Sequence, residues 1–288
     1  MAKLTRNGSF SGSVFFLLLL LGGSCSHAED SQTRPLTFGY FPIISTVALY
    51  KRFSPLRDYL SVHLERPVTL HTAKDFPTFV KRTDAREYDI LVTAPHFAVR
   101  AADSGKYRIR ATLVSDVQQL VIVRKNSKFK HVSELAGKRI ATPPRRALMT
   151  MMGVEYLKKA GLTGEKTPQY QPFVSHNAAN EALLAGQVDA AIASTNIVKK
   201  AIAHGAELRI ISRGLKLPNM ATLVATDMDA QIGDQIVNIL VDMVNSAEGK
   251  QTLKKISFPG YRAVNASVYE AARPYLEQGI ADIVDATN

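Results

Sequence analysis

REYDILVTAPHF at residues 86–97 and GQVDAAIASTNI at residues 186–197 follow one plan. Each closes a helix, spends two residues on a link and places an aspartate, Asp89 or Asp189. Each then runs through small apolar residues into hydroxyls and the start of a new helix. A short apolar run between helical segments is the pattern of a strand buried on both faces, as in a parallel sheet covered by helices. One unit used twice points to an α/β protein of two lobes. The two aspartates, each at the mouth of a buried strand, are expected to bind nearby backbone rather than act as acids.

Outward from these stretches, strand-like and helix-like segments alternate. LTFGY (36–40) reads as a strand, and Ser54-Pro55 as the N-cap and first residue of a helix carrying Leu56, Tyr59, Leu60 and His63 on one face. PVTLHT (67–72) is the next strand, followed by a helix over 76–83, the strand YDILVT, a helix after Pro95 and the strand YRIRATLV (107–114). QQLVIVRK (118–125) opens a second set with a short helix at 132–135, the strand KRIAT (138–142) and a long helix from about Arg145 to Ala160, ended by Gly161. A strand near 170–174 leads into VSHNAANEALLAGQVDAAIAS (174–194). Strand-like runs at 208–213 and 220–226 bracket the loop-like GLKLPN, and amphipathic helices are expected at 232–243 and 268–285. The strand count predicts that the chain leaves its first lobe near Ser115 and returns near Asn219. Residues 35–115 plus 220–288 then make lobe 1, and residues 116–219 lobe 2.

Of the 288 residues, 46% are hydrophobic and 21% charged, a globular composition. Lys3 and Arg6 ahead of VFFLLLLL (14–21) and a small-residue stretch form a secretory signal peptide, residues 1–28, cleaved after Ser26-His27-Ala28. Lipidation at Cys25 is the weaker alternative, because a lipobox wants Leu where Gly22 stands. Cleavage removes the one cysteine and two basic residues, leaving 34 basic against 25 acidic, a balance of +9. That surplus favours anionic ligands or surfaces. The basic residues are scattered and not interleaved with aromatics, so no nucleic-acid groove is expected. Seven histidines without i, i+3 or i, i+4 pairing support no metal, and G-x-S-x-G, G-x-x-x-x-G-K-[ST], G-x-G-x-x-G after a strand and H-E-x-x-H are absent. An enzyme is not expected, nor a cofactor.

Open parallel sheets bind ligands outside the carboxyl ends of their strands, where helices point free N–H groups. Four such junctions stand out: Thr93-Ala94-Pro95-His96, Thr142-Pro143-Pro144-Arg145-Arg146, Ser175-His176-Asn177 and Ser194-Thr195. Ser175 reads first as an N-cap, a role compatible with ligand contact. His176 is either a donor to an oxyanion or a solvated surface histidine. Arg145 and Arg146 offer guanidinium forks at a helix start, where cations oppose the macrodipole unless an anion lies between. Tyr40 is either a ligand contact or a buried aromatic, and Met149, Met151 and Met152 read as packing.

Taken together, FGYFPI with RFSPLRDYLSVHLERPVTL, then EYDILVTAPHFA, VIVRKNSKFKHVSELAGKRIA and VSHNAANEALLAGQVDAAIAS resemble the substrate-binding proteins of phosphate, phosphite and phosphonate ABC importers, a branch of the type II periplasmic binding proteins. The resemblance implies two lobes joined by two hinge strands, each a mainly parallel sheet flanked by helices, closing on a small oxyanion. It matches the family's tyrosine to Tyr40 and its Ser-His pair to Ser175 and His176. The chain departs from the pattern at TPPRRALMT, which keeps Thr142 and Thr150 as hydroxyls and brings Arg145 and Arg146. It departs again at APHFA, with His96 and Phe97 where a tyrosine is expected, and at Ser194-Thr195, where an acid is expected. Loss of the acid and gain of two arginines predict a fully ionised anion outside the aminophosphonates. The implied protein is a periplasmic monomer that hands a small anion to an inner-membrane ABC permease. The alternative is a periplasmic sensor acting on a membrane signalling partner.

Overall fold

The computed structural model describes residues 34–276; the signal segment and Cys25 lie outside them. Eleven strands form two sheets among the described residues. The first, of six strands, has the order β11-β4-β10-β3-β1-β2, with β1 Leu36–Tyr40, β2 Val68–His71, β3 Ile90–Thr93, β4 Tyr107–Leu113, β10 Ala221–Ala225 and β11 Tyr261–Ala263. The second, of five strands, has the order β7-β6-β8-β5-β9, with β5 Val117–Arg124, β6 Arg139–Thr142, β7 Gln169–Pro172, β8 Ala190–Ser194 and β9 Leu208–Leu217.

β1 pairs in parallel with β2 and β3, and β10 lies antiparallel between β3 and β4. β4 therefore runs with β1–β3, and their carboxyl ends share one edge. In the second sheet β6 is parallel to β7 and β8, while β5 is antiparallel to β8 and β9. The chain crosses from Leu113 to Val117 and returns from Leu217 to Ala221. Both crossings join the edges where the parallel strands end, so the two carboxyl edges face one another. Four residue steps reach at most about 14 Å, a gap on the scale of a small ligand.

Among the described residues eight α-helices cover the sheets: α1 Thr46–His63, α2 Phe76–Asp84, α3 Pro95–Asp103, α4 Leu148–Lys159, α5 His176–Leu184, α6 Thr195–Ala203, α7 Ala230–Asp242 and α8 Ala247–Ile256. The internal repeat is visible in detail. Past α2 and α5 the chain turns through left-handed residues, Arg86 at φ 63° and Gly186 at φ 78°. It then reaches an aspartate that accepts from a neighbouring strand: Asp89 from the Thr37 N–H at 2.8 Å, and Asp189 from the Arg139 N–H at 3.0 Å. Both carboxylates hold strand mouths together. Asp89, 2% exposed, also accepts from the Thr37 hydroxyl and from Arg86.

Four expectations need correction. The first helix starts at Thr46 and not at Ser54; Pro55 sits inside it, and the Ser54 hydroxyl bonds back to the Tyr50 carbonyl at 2.7 Å. Leu49 and Phe53, both fully buried, supply the apolar contacts that extend the helix forward. The helix after KRIAT starts at Leu148, because Ala147 N–H bonds to the Pro144 carbonyl and closes Arg145-Arg146 into a turn. After α8 the chain forms β11 and a 3₁₀ helix, Ala266–Tyr275, with the remainder of the expected helix outside the described residues. GLKLPN is not wholly a loop, since β9 runs on through Leu217.

Strand alternation divides the core. Tyr40, Ile90 and Val92 face α1 with Leu49 and Phe53, whereas Leu91 joins a larger cluster with Phe41, Phe97, Met149 and Met152 that draws on both lobes. The 3₁₀ helix packs on α3 and also touches α4 and β9. Its Tyr269 hydroxyl donates to the Asn219 carbonyl of the return crossing at 2.7 Å, and its Arg273 pairs with Asp103 of α3 at 2.6 Å.

Candidate functional site

Each of the four junctions lies where a strand of a facing edge turns into a helix. At the first, Thr93 ends β3 and His96 sits in the first turn of α3; each is 1% exposed. The Thr93 hydroxyl and both His96 ring nitrogens have no hydrogen-bond partner among the described residues. Burial pushes the His96 imidazole down to about 3, so it is neutral. Its ring lies 4.0 Å from that of Phe97, which is 5.4 Å from Phe41, in turn 4.4 Å from Phe76.

The second junction is tighter than a helix start made by two arginines. Thr150, buried on α4, donates to the Pro143 carbonyl at 3.0 Å and braces the turn. Thr142 is buried at the end of β6, and Arg145 is exposed. Arg146 lies close enough to Asp75, the N-cap of α2 in the other lobe, to help lower its carboxyl. The larger cause of that lowering is the hydrogen bonding from Thr78.

At the third junction Ser175 caps α5, accepting from the Ala178 N–H at 3.1 Å. His176 is half-buried, with Nδ1 enclosed and unpartnered among the described residues, and burial lowers its pKa to about 4. It is therefore no ordinary solvated histidine. Asn177 is exposed beside it. At the fourth, Ser194 is buried at the end of β8, and the Thr195 hydroxyl donates to the Gln118 carbonyl at 3.3 Å. Helices α3, α4 and α6 begin without a side-chain cap; α5 has one.

Tyr40 is placed differently from the junction residues. It is wholly buried, stacked on Phe53 at 3.8 Å, with its phenol 4.0 Å from the Met220 sulfur and its pKa raised chiefly by burial. Two buried amides escaped the sequence reading. Gln119 pairs in register with Ser194, is 0% exposed and has both amide atoms unpartnered among the described residues. Asn180, one turn into α5 from His176, is likewise buried and unpartnered. The signal for Gln119 lay in the alternation Gln119, Val121, Val123, which gives a polar residue an inward position; nothing in the sequence marked Asn180. No group of three or more His, Cys, Asp or Glu able to hold a metal occurs among the described residues.

Residues 38–269 match the family model described as the ABC transporter, phosphonate, periplasmic substrate-binding protein. The chain belongs to this family. Its members are substrate-binding components of importers and work in the periplasm with permease partners. Solved structures with the same fold include XAC2383 from Xanthomonas citri, bound to ATP (16% identity, TM-score 0.70, covering 88% of this chain and 99% of that one). PhnD1 from Prochlorococcus marinus, in complex with methylphosphonate, aligns at 14% identity with TM-score 0.70, covering 86% and 98%. A binding protein component of an ABC phosphonate transporter from Pseudomonas aeruginosa aligns at 15% identity with TM-score 0.65, covering 88% and 98%. At these identities the likeness establishes the two-lobed fold, and the ligand has to be argued from this chain's own residues.

Proposed function

We propose that the protein captures a small oxyanion, phosphonate-, phosphite- or phosphate-like, between its facing edges and delivers it to an ABC importer by lobe closure. One observation carries this reading: three of the four junction helices present their first N–H groups without a side-chain cap, beside the buried hydroxyls Thr93, Thr142 and Ser194. Uncapped N–H groups aimed at one gap are what an anion satisfies. The proposed contacts are Thr93, His96, Thr142, Thr150, Ser175, His176, Asn177, Ser194 and Thr195, with Arg145 and Arg146 at the rim. Tyr40 reaches the ligand only if its phenol leaves Met220. Lobe closure, without covalent chemistry, is the working step.

A thermal-shift panel tests the reading, following native mass spectrometry of protein taken from the periplasm. At roughly 100-fold excess over its dissociation constant a true ligand stabilises by about 2.7 kcal/mol. A panel of phosphate, phosphite, phosphonates, sulfonates and carboxylates in which nothing raises the melting temperature sinks the proposal.

A further inference from the structure

We propose that the pole of lobe 2 farthest from the cleft docks on a membrane surface rich in anionic phospholipid, a role separate from ligand capture. Residues 29–288 carry 34 basic and 25 acidic side chains, and the fold divides them unevenly. Residues 116–219, which build the five-stranded sheet and its helices, hold 16 basic against seven acidic. The rest balance at 18 against 18, so the surplus of nine belongs to one lobe. Cations that stand as singles and pairs along the chain are gathered by folding, and a field of one sign over one end of a molecule selects partners of the other sign.

The densest part is residues 124–139, with six basic residues and one acid. This segment joins the end of β5 to the start of β6, and β5 runs against β8 while β6 runs with it, so the segment lies at the pole away from the facing edges. The ion pairs of this pole use other residues: Lys125 with Glu207, Arg139 with Asp189 and Lys159 with Glu155. Lys128, Lys130 and Lys138 have no such partner among the described residues. The ammonium groups of Lys128 and Lys138 lie 5.6 and 6.0 Å from the centre of the Phe129 ring. They are therefore within about 12 Å of each other, close to the Debye length of about 10 Å at 0.1 M salt. Like charges held at that range repel, and an anionic surface relieves them. Glu134, the one acid of the segment, turns its carboxylate back to the His131 N–H at 2.8 Å. Arg209 donates to the Ser127 and Phe129 carbonyls at 2.8 and 3.0 Å and pins the loop that presents the lysines. β7 pairs with β6 from their first residues, which sets the exposed Lys166 on the same pole, and α4 brings the exposed Lys158 there at its carboxyl end. Lys158 complements the α4 carbonyls, but the loop lysines have no helix end to serve. Cations drawn from a loop, a helix end and a turn spread charge over an area, which answers many headgroups at once. The family works with permease partners, so a bilayer is within reach, and docking through this pole leaves the cleft in solution.

Co-sedimentation with vesicles of phosphatidylcholine, with and without phosphatidylglycerol, tests the docking. Binding is expected only where phosphatidylglycerol is present, and it should fade as salt rises from about 0.05 to about 1 M, where the Debye length shrinks to about 3 Å. Each cation near such a surface is worth about fivefold in partitioning, so Lys128→Gln/Lys130→Gln/Lys138→Gln is expected to weaken binding about 100-fold. The matched triple on lobe 1, Lys250→Gln/Lys254→Gln/Lys255→Gln, takes away the same net charge from exposed positions on α8 and is expected to stay within about fivefold of the parent. Equal losses in the two triples overturn the proposal, because net charge alone would then be acting. Binding that ignores phosphatidylglycerol, or no vesicle binding at low salt, overturns it as well. So does release by methylphosphonate, which would place the headgroup in the cleft. Capture by polyglutamate without capture by vesicles overturns the lipid surface and assigns the pole to an acidic protein.

Discussion

Two histidines are expected to make this molecule sensitive to mild acid. His96 and His176 fall from the ordinary 6.5 to about 3 and about 4, in both cases through burial. Between 6.5 and those values the unfolded chain takes up protons that the folded chain refuses. Their contribution to stability is therefore whole above about pH 6.5 and is lost as the pH falls toward 4 and 3. Each histidine adds a slope of at most about 1.4 kcal/mol per pH unit. Urea unfolding at pH 7, 6 and 5, above the usual carboxylate range, should show stability falling with pH in the parent and a flatter profile in His96→Phe/His176→Asn. Equal slopes in the two proteins would rule the histidines out as the cause.

Among elements, the packing of α4 on β8 gives a sharp expectation. A Cβ on Gly153 would lie 2.5–2.8 Å from three side-chain atoms of Ile192. Gly153→Ala should cost about 1–3 kcal/mol by overpacking, and less than the sum when combined with Ile192→Ala, measured by chemical denaturation. At this scale the sequence was informative where chemistry is local. The repeated aspartates could be read as backbone ligands because a carboxylate at the mouth of a buried strand has few other partners. Ser175 could be read as a cap from its type and its place before an apolar helix. Ser54-Pro55 mimicked a start signal, and only the burial of Leu49 and Phe53 shows that the helix begins two turns earlier. Strand direction was not readable at all, since an apolar run looks the same in either sense; hence β5 and β10 emerge as antiparallel. The same limit holds at the site. Position at a strand end picked out the four junctions, but the depth of Tyr40 and His96 depends on packing between elements: Phe53 of α1 stacks on Tyr40, and Phe41, from the end of β1, packs on the Phe97 that lies beside His96.

For the whole molecule, the two crossing segments are the chain connections between the lobes, and one of them is fastened. The Asn219 carbonyl accepts from Tyr269 at 2.7 Å and from the Thr112 hydroxyl at 3.3 Å. Tyr269→Phe keeps the ring and removes the stronger bond. It should lower stability by about 1 kcal/mol and speed amide exchange over Leu217–Ala221 while leaving β6 and β8 unaffected. Unchanged exchange in the crossing would show that the tyrosine only fills space. The placement of β10 has one more consequence, which concerns the order in which the chain can assemble. Every strand of the five-stranded sheet has been made once residue 217 is added, yet β3 and β4 acquire their shared neighbour only with residues 221–225. The lobe that starts the chain is thus the one that must wait. Its first four strands remain an incomplete sheet with an unpaired gap at its middle until the nested lobe has been threaded through, so the earliest-made segment is also the last to be sealed.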